Sequence, residues 1–355
     1  MESIVGAFSS PLYVAWEITH RCNANCIHCY SSSGPSALSD NELSTEEALN
    51  VIDQLAEAGL MVLAFSGGEP FLRKDWSRLA GHAADCGLTV NIATNGTSIT
   101  PHMPEVLKDL GVKSVTVSLD SNKPDAHDQF RRLPGLYKKA TRAIALLSEQ
   151  GVRVVVGFTP TRLNWKDGPE IIRLAHELGA AAVNLSEYVP AGRGTIDLAL
   201  SPDDLHSMLV EWIRLREEYR NKMAIIWHDC RVGFLVSEED KRKYVGCGAG
   251  RLVGRILPDG TVTPCVFLPT PIGSFRQSSF REMWDNSPLL RVFRERKGHL
   301  TGNCGDCEHI QSCGGCRAVA YAYSGGDPLA GDPHCWISAP GSSLIKLPEG
   351  EALPC

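Results

Sequence analysis

The chain has no apolar run of the roughly 18 residues that a membrane-spanning helix requires. Its N-terminal stretch, MESIVGAFSSPLYVAWEITHRC, has no basic residue ahead of its apolar part, as a secretory signal would. Positive charge is not in excess either, because 35 lysines and arginines face 41 aspartates and glutamates, a net charge of −6. We therefore expect a cytoplasmic protein that neither spans a membrane nor attracts nucleic acid by its overall charge.

Cysteine, in contrast, is abundant. The 355 residues include 13 cysteines, and 43% of the chain is hydrophobic, enough for a sizeable buried core. Disulfide-rich secreted proteins are usually short, whereas this chain is long and its cysteines are clustered. Metal ligation is the better explanation for them.

Residues 11–230 alternate between short apolar segments and segments of helical period, beginning with the strand predicted at 11–19. The first predicted helix, 44–59, opens with Ser44 and Glu47 at capping-box spacing. Six such strand–helix units predict an α/β fold, a partial (β/α)6 barrel similar to a TIM barrel, with a parallel sheet and outer helices. Glycines close four of the predicted helices, at positions 87, 111, 151 and 179.

Beyond residue 230 the composition changes, with more glycine, proline and cysteine and less helical period. The segment GRILPDGTVTPC predicts a hairpin that turns at Asp259 and Gly260. We therefore predict a barrel domain over 1–230, a cysteine-rich domain over 231–340 and a polar tail over 341–355. In the barrel, chemistry is expected on the loops that leave the carboxyl ends of the strands.

One of these loops carries three cysteines, Cys22, Cys26 and Cys29, at the spacing C-x3-C-x2-C. Three thiolates on one short loop can hold three irons of a cubane [4Fe–4S] cluster. The fourth iron is then open to a small molecule. The alternative is a structural zinc knuckle, although zinc sites usually pair C-x2-4-C units and close four ligands.

The loop, with the aromatic His28 just before its last cysteine, resembles that of the radical S-adenosylmethionine (SAM) superfamily. The turn Gly67, Gly68, Glu69 and Pro70 follows the second predicted strand, where that family receives the methionine amino group of SAM. Glycines allow close backbone approach, and a carboxylate or carbonyl accepts hydrogen bonds from an ammonium. The resemblance also implies that His28 lies near the adenine and acts through its backbone.

Polar residues that end two further strands would complete the SAM site. Ser118 and Asp120 stand where relatives often bind the ribose or the methionine carboxylate, and Asn95 would have a related part. The alternative is ordinary turn and cap chemistry, which the same residue types favour.

Arginines also collect on the predicted active-site face, at Arg131, Arg132, Arg162 and Arg193. Guanidinium groups suit carboxylates, so Arg131 and Arg193 are candidates for the SAM carboxylate. Spare arginines would hold a substrate with several carboxylates. Some of the four are expected to be solvated loop charges instead.

The resemblance implies a mechanism. The methionine nitrogen and carboxylate would chelate the open iron, and an electron from the reduced cluster would split SAM into methionine and a 5′-deoxyadenosyl radical. That radical would abstract hydrogen from an unreactive C–H bond. The cofactor carries this chemistry, while the protein orients the reactants and excludes water.

The cysteines of the second domain resemble the SPASM domain, which houses auxiliary [4Fe–4S] clusters. The resemblance implies one cluster on Cys304, Cys307, Cys313 and Cys335, and another on Cys247, Cys265 and Cys316. The chain departs from the common pattern, with two residues rather than three between the cysteines at 313 and 316.

Other assignments of these cysteines stay open. The second cluster has no obvious fourth ligand, which leaves Cys230, a substrate, or an open or smaller cluster. A zinc ribbon on the two C-x2-C pairs, 304/307 and 313/316, is the alternative to clusters. Cys86 is expected to be a buried apolar residue, and Cys355 to have no role.

The resemblance is greatest to enzymes that modify tetrapyrrole side chains in the heme d1 and alternative heme pathways, in the run CGDCEHIQSCGGCRAVAYAYSGGDPLAGDPHCW. It implies removal or oxidation of a tetrapyrrole carboxylate side chain, with an external one-electron donor such as flavodoxin or ferredoxin. A ribosomal peptide maturase, which would crosslink, epimerise or process a cofactor peptide, is the second hypothesis. A non-enzymatic electron-transfer protein with the same clusters is the third, although a carrier has no need for an open iron.

Overall fold

The structure is a computed structural model that describes residues 10–38, 40–236 and 244–337. The tail predicted at 341–355, with Cys355, lies outside these ranges. Within them, no helix is both long enough and apolar enough to cross a membrane.

The described residues form one ten-stranded sheet in the order β10-β9-β8-β1-β2-β3-β4-β5-β6-β7. Each strand from β1 to β6 pairs in parallel with the next one along the chain, as predicted for repeated βα units. The strands are β1 Tyr13–Thr19, β2 Val62–Gly67, β3 Thr89–Thr94, β4 Ser114–Ser118, β5 Val154–Phe158, β6 Ala182–Leu185, β7 Ala224–Trp227, β8 Val253–Ile256, β9 Thr261–Thr263 and β10 Gly273–Ser274.

The helices predicted between the strands are present, and Pro124–Arg131 forms a further helix that was not predicted. The capping box of Ser44 and Glu47 is present at the start of α1, and the four helix-closing glycines all have positive φ, between 72° and 83°. The helices are α1 Thr45–Glu57, α2 Trp76–Asp85, α3 Met103–Asp109, α4 Pro124–Arg131, α5 Leu136–Glu149, α6 Gly168–Glu177, α7 Pro202–Tyr219, α8 Phe280–Asn286, α9 Pro288–Glu295, α10 Gly302–Gly305 and α11 Arg317–Tyr323.

The sheet extends further than the sequence predicts. A seventh parallel strand, β7, follows α7, and β8 pairs in parallel with β1. The predicted hairpin is confirmed, because β8 and β9 are antiparallel and Gly260 between them has a φ of +86°. Residues on both sides of position 230 thus share one sheet, and the domain boundary there stays a prediction.

The core lies between this sheet and the helices packed on it. In β1 the six residues from Val14 to Thr19 are all buried, as is typical of a strand covered on both faces. Trp16 and Phe65 meet edge to face at 5.9 Å between ring centroids. The core therefore fixes the end of β1, which leads directly into the three-cysteine loop.

A buried ion pair joins β1 to β8. Glu17 is fully buried, and its Oε1 lies 2.6 Å from Nη2 of Arg255. Burial raises the pKa of Glu17, and Arg255 opposes that rise. The guanidinium also lies over the ring of Tyr30, 5.3 Å from its centroid. The pair thus links the first strand of the barrel to a strand of the cysteine-rich region.

Replacing Arg255 by methionine should destabilise the fold by about 3–5 kcal/mol, because it leaves the carboxylate of Glu17 buried without a counter-charge. The double variant Glu17→Met/Arg255→Met should recover most of that loss. Anaerobic denaturation followed by circular dichroism measures both. A single variant as stable as the parent protein would contradict this role.

Candidate active site at the carboxyl ends of the strands

Five loops meet at the carboxyl edge of the sheet, as predicted. They follow β1 with the three cysteines, β2 with the sequence GGEP, β3 with TNG, β4 with SLD and β6 with PAGRG. In parallel sheets this edge is where binding and chemistry are found.

The thiols of Cys22, Cys26 and Cys29 are close enough to act on one another electrostatically. Burial, opposed by Arg131 and supported by the neighbouring thiols, raises the pKa of Cys26 to about 11. Burial raises the pKa of Cys22 as well. Thiols that are poor acids by themselves become good ligands when metal ions replace their protons, so this donor set fits an iron–sulfur cluster.

The spacing of the sulfur atoms argues against zinc. Tetrahedral zinc brings thiolate sulfurs to about 3.8 Å from one another. Across the described residues, no three cysteines have sulfur atoms within 4.8 Å of one another. A cubane cluster places its ligands on separate irons and therefore needs wider spacing.

The loop after β6 holds the cysteine loop by its backbone. Arg193 donates from Nε to the carbonyl of Cys26 at 2.8 Å, and from Nη1 and Nη2 to the carbonyls of Ser32 and Ser33. Its own N–H donates to the carbonyl of Cys29 at 2.9 Å. The guanidinium is therefore used inside the protein. Its predicted contact with SAM stays a prediction, and the geometry favours a positioning role.

Arg131 lies at the junction of α4 and the cysteine loop. Its Nη2 is 2.6 Å from Oδ2 of Asp120, and its Nη1 lies 3.9 Å from Sγ of Cys26. Burial alone would raise the pKa of Asp120, but Arg131, His28, His127 and the N–H of Thr159 together outweigh burial, and the pKa is lowered. Asp120 is fully buried, so the ion pair holds the guanidinium of Arg131 in place beside Cys26 of the cysteine loop.

The two glycines of the GGEP turn allow a close approach of two backbone segments. A Cβ on Gly67 would lie 2.4 Å from the carbonyl oxygen of Thr19, and one on Gly68 would lie 2.1 Å from that of Arg21. Gly67 also has a φ of +118°. The backbone N–H of Gly68 donates to the carbonyl of Thr19 at 2.8 Å. The turn thus packs directly against the start of the cysteine loop.

Glu69 is fully buried, and its carboxylate joins the ends of β2 and β3. It accepts hydrogen bonds from Oγ1 of Thr94 and from the backbone N–H of Asn95, both at 2.8 Å, and from Phe71 N–H at 3.4 Å. Burial raises its pKa to about 7, although these bonds oppose the rise. Pro70 then begins a short 3-10 turn.

Two predicted SAM-binding residues are found beside the loop. Asn95 donates from Nδ2 to Oδ1 of Asn23 at 2.8 Å, and the same nitrogen lies 3.9 Å from Sγ of Cys22. Ser118 ends β4 and is half-buried. Both are at the predicted edge, and their contacts with SAM stay predictions.

His28 stacks on Phe130, with ring centroids 4.4 Å apart and planes 22° from parallel. Burial lowers its pKa to about 4, so the ring is neutral near pH 7. Its Nδ1 is buried and has no hydrogen-bond partner in the described part of the chain. This nitrogen lies within the cysteine loop, and a buried nitrogen without a partner suits contact with a bound molecule.

Four cysteines of the C-terminal region line one cavity. They are the set expected for one auxiliary cluster: Cys304, Cys307, Cys313 and Cys335. The zinc-ribbon alternative would need Cys316 in place of Cys335, and Cys316 is not part of this lining. The four-cysteine cavity therefore favours the cluster assignment.

The second predicted set, Cys247, Cys265 and Cys316, packs on a separate apolar cluster. Burial raises the pKa of Cys265 to about 11, and the thiol of Cys247 adds to that rise. Cys230, the candidate fourth ligand, lies beside Cys313, a cysteine of the first set, instead. Its place in the second cluster stays open.

A buried charge group connects the barrel to the four-cysteine cavity. Arg231 bonds Asp229 through Nε at 2.9 Å, pairs with Glu187, and has Nη1 3.5 Å from Oδ2 of Asp332. Asp332 accepts the N–H of Cys316 at 2.8 Å. Burial raises the pKa of Glu187 to about 8, and Arg231 opposes the rise. The carboxylates of Asp229 and Asp332 add to it, because three carboxylates share one guanidinium.

Sequence reasoning missed several of these partners. The place of Asn23 between two cysteines could have indicated a part in the site. Nothing in the sequence indicates that Phe130 stacks on His28. The group around Arg231 brings together acids that follow β6 and β7 and one from the C-terminal region. Because β7 was not predicted, that group was not predicted either.

Replacing Arg193 by methionine should loosen the cysteine loop, because its guanidinium donates the hydrogen bonds to three loop carbonyls, those of Cys26, Ser32 and Ser33. We expect a loss approaching the roughly four irons of one cluster. Iron and sulfide analysis with electron paramagnetic resonance of the reconstituted protein measures it. Arg162→Met is the matched control, because Arg162 donates to a remote carbonyl, that of Asp197. Equal iron in both variants would contradict the positioning role.

Comparison with known proteins shows the family of the chain. The radical SAM superfamily model matches residues 16–175, and the model of an iron–sulfur cluster-binding domain, SPASM, matches residues 247–308. In the solved structure of SuiB from Streptococcus suis bound to S-adenosylmethionine, 76% of that chain and 91% of this one align with a TM-score of 0.75. The identity is 18%, so this likeness concerns the fold.

Two curated relatives match over nearly the whole chain. An AdoMet-dependent heme synthase of Methanosarcina barkeri is 34% identical, covering 95% of this chain and 99% of that protein. The mycofactocin maturase MftC of Mycobacterium tuberculosis is 32% identical, covering 94% and 85%. The chain therefore belongs to the radical SAM superfamily, as an enzyme with a SPASM domain that uses S-adenosylmethionine, a [4Fe–4S] cluster and auxiliary iron–sulfur clusters.

Proposed function

We propose that this radical SAM enzyme removes or oxidises a carboxylate side chain of a tetrapyrrole. The observation that carries the proposal is the 34% identity to an AdoMet-dependent heme synthase across 95% of the chain. That alignment includes both the three-cysteine loop and the four-cysteine cavity.

Several described residues support this proposal. Bound at the three-cysteine loop, the cluster and SAM would provide a carbon radical that takes hydrogen from the substrate. Cys22, Cys26 and Cys29 would hold the cluster, and Arg193 keeps their loop in one shape. The ring of His28 in this loop is uncharged near pH 7 and stacks on Phe130.

Of the four arginines expected on the active-site face, three are engaged within the protein. Arg131 pairs with Asp120, Arg193 bonds the cysteine loop, and Arg162 donates to the carbonyl of Asp197. Arg132 is different, because it follows α4 with a φ of +49° and its side chain is exposed. It is adjacent to the residue whose carbonyl accepts the N–H of Asn25 in the cysteine loop. We therefore assign Arg132 to a substrate carboxylate.

The test uses anaerobically reconstituted protein with SAM and a strong reductant. Incubation with iron-coproporphyrin or didecarboxysiroheme should give 5′-deoxyadenosine and a tetrapyrrole of lower mass, measured by mass spectrometry. Cys22→Ala should abolish both products. If 5′-deoxyadenosine forms but neither tetrapyrrole changes, the substrate assignment is wrong while the radical SAM assignment stands.

A peptide substrate is the second candidate, and the 32% identity to a mycofactocin maturase favours it. Incubation with a peptide encoded next to this protein would distinguish the two. A peptide that changes mass, beside an unchanged tetrapyrrole, would decide for the maturase.

We further propose that a flavodoxin or a ferredoxin donates the electron, and that the protein works in the cytoplasm. A reducing compartment suits it, because the twelve described cysteines are all free and ten of them are proposed cluster ligands. Replacing dithionite with reduced flavodoxin should sustain 5′-deoxyadenosine formation.

Replacing Arg132 by alanine should raise the KM for the tetrapyrrole about tenfold, the effect of losing roughly 1.4 kcal/mol of carboxylate binding. SAM cleavage without substrate should not change, because Arg132 does not contact the cysteine thiols. Arg142→Ala, an exposed arginine on α5, is the matched control. A KM equal to that of the control would show that Arg132 does not bind substrate.

A further inference from the structure

Three side chains of different chemistry meet on the outer surface of the barrel, away from the cysteine sites. Nε2 of His82 lies 2.7 Å from Oδ1 of Asp53, and Sγ of Cys86 lies 3.7 Å from each of these atoms. Among the described residues, this is the one set of three histidine, cysteine or acidic side chains with all ligand atoms within 4.8 Å. We propose that Asp53, His82 and Cys86 bind a divalent transition metal of the zinc type.

The distances match a tetrahedral zinc site. With Zn–S near 2.3 Å and Zn–N or Zn–O near 2.0 Å, ligand atoms are about 3.3–3.6 Å apart. The two sulfur distances of 3.7 Å agree with this. The nitrogen–oxygen distance of 2.7 Å must widen by about 0.6 Å to reach the tetrahedral value, a small rotation of the Asp53 side chain.

The two helices present these ligands in a fixed arrangement. His82 is in the last turn of α2, and Cys86 caps that helix four residues later, on the same face. The N–H of Cys86 donates to the carbonyl of His82 at 2.9 Å, so the backbone holds the two residues at a fixed separation. Asp53 stands on α1, whose neighbouring residues Ile52 and Leu55 are fully buried in the core.

The ligand chemistry selects the metal. One thiolate, one imidazole and one carboxylate suit zinc, cobalt or cadmium, whereas calcium and magnesium prefer oxygen ligands in larger number. Ionised Asp53 and Cys86 together neutralise a divalent ion. Asp53 and His82 are 49% and 34% exposed, so water can take the fourth position.

A Cys–His–Asp catalytic relay does not fit the same residues. Such a relay uses the two ring nitrogens of histidine, one toward the nucleophile and one toward the acid. Here Asp53 and Cys86 both face Nε2 of His82. Convergence of three ligand atoms on one point is the geometry of a metal site.

The position of the trio indicates a structural role. The chain passes from Cys86 into β3, which starts at Thr89, so the trio lies toward the amino ends of the strands. The cysteine loop is at the opposite, carboxyl edge. A metal here would crosslink α1 to α2 without taking part in the radical reaction.

The test uses the cluster-loaded full-length protein, incubated with zinc chloride, desalted and analysed by mass spectrometry for zinc and iron. The parent protein should retain one more zinc per chain than His82→Ala, Cys86→Ser or Asp53→Asn, at equal iron. His102→Ala, an exposed histidine at the start of α3, is the matched control and should retain it. Equal zinc in all variants would overturn the proposal.

A second measurement needs no variant. Zinc should slow alkylation of Cys86 by iodoacetamide at least about tenfold, because a metal-bound thiolate is withdrawn from reaction. Peptide mass spectrometry reports this site separately from the cluster cysteines. An unchanged alkylation rate would show that Asp53 and His82 form only a surface ion pair beside a free thiol.

Discussion

The site depends on one constraint, which is that the polar backbone of the cysteine loop must find hydrogen-bond partners away from water. Those partners come from other strand-end loops. The carbonyls of Phe130 and Arg131 accept two loop N–H groups, and Arg193 serves loop carbonyls from the other side. The N–H groups of the GGEP turn donate to the carbonyls of Thr19 and Arg21. The loop therefore has its shape only when the sheet has placed the ends of β2, β4 and β6 around it.

Three buried arginines also join separate segments, through ion pairs with buried acids. Arg131 joins α4 to Asp120, Arg255 joins β8 to Glu17, and Arg231 joins the barrel to the four-cysteine cavity. Burying such pairs costs desolvation energy, so they add little net stability, but loss of either partner leaves an uncompensated charge. They therefore specify which segments meet. In particular, Arg231 relates the barrel strands to the auxiliary cavity through fixed, directional bonds.

Local features of the fold could be predicted from the sequence, and non-local ones could not. Caps, helix-closing glycines and the turn at Gly260 depend on neighbouring residues, and all are present. The pairing of β8 with β1 joins segments about 240 residues apart, and no periodicity in the sequence indicates that these two strands pair. Likewise, the sequence PAGRG suggests an anion site at its arginine. It does not show that the carbonyls of Cys26, Ser32 and Ser33 accept the hydrogen bonds of that guanidinium.

The glycines of the GGEP and PAGRG motifs are explained by the close packing of these loops on the backbone of the cysteine loop. A Cβ at Gly192 would come within 2.3 Å of the carbonyl oxygen of Tyr30, as close as those at Gly67 and Gly68 come to Thr19 and Arg21. Three glycines from two different loops thus face the same stretch of backbone. A side chain at any of them would push the cysteine loop away from the sheet. The glycines therefore serve the position of the loop, and the geometry of the three thiols follows from packing that begins with the absence of a Cβ.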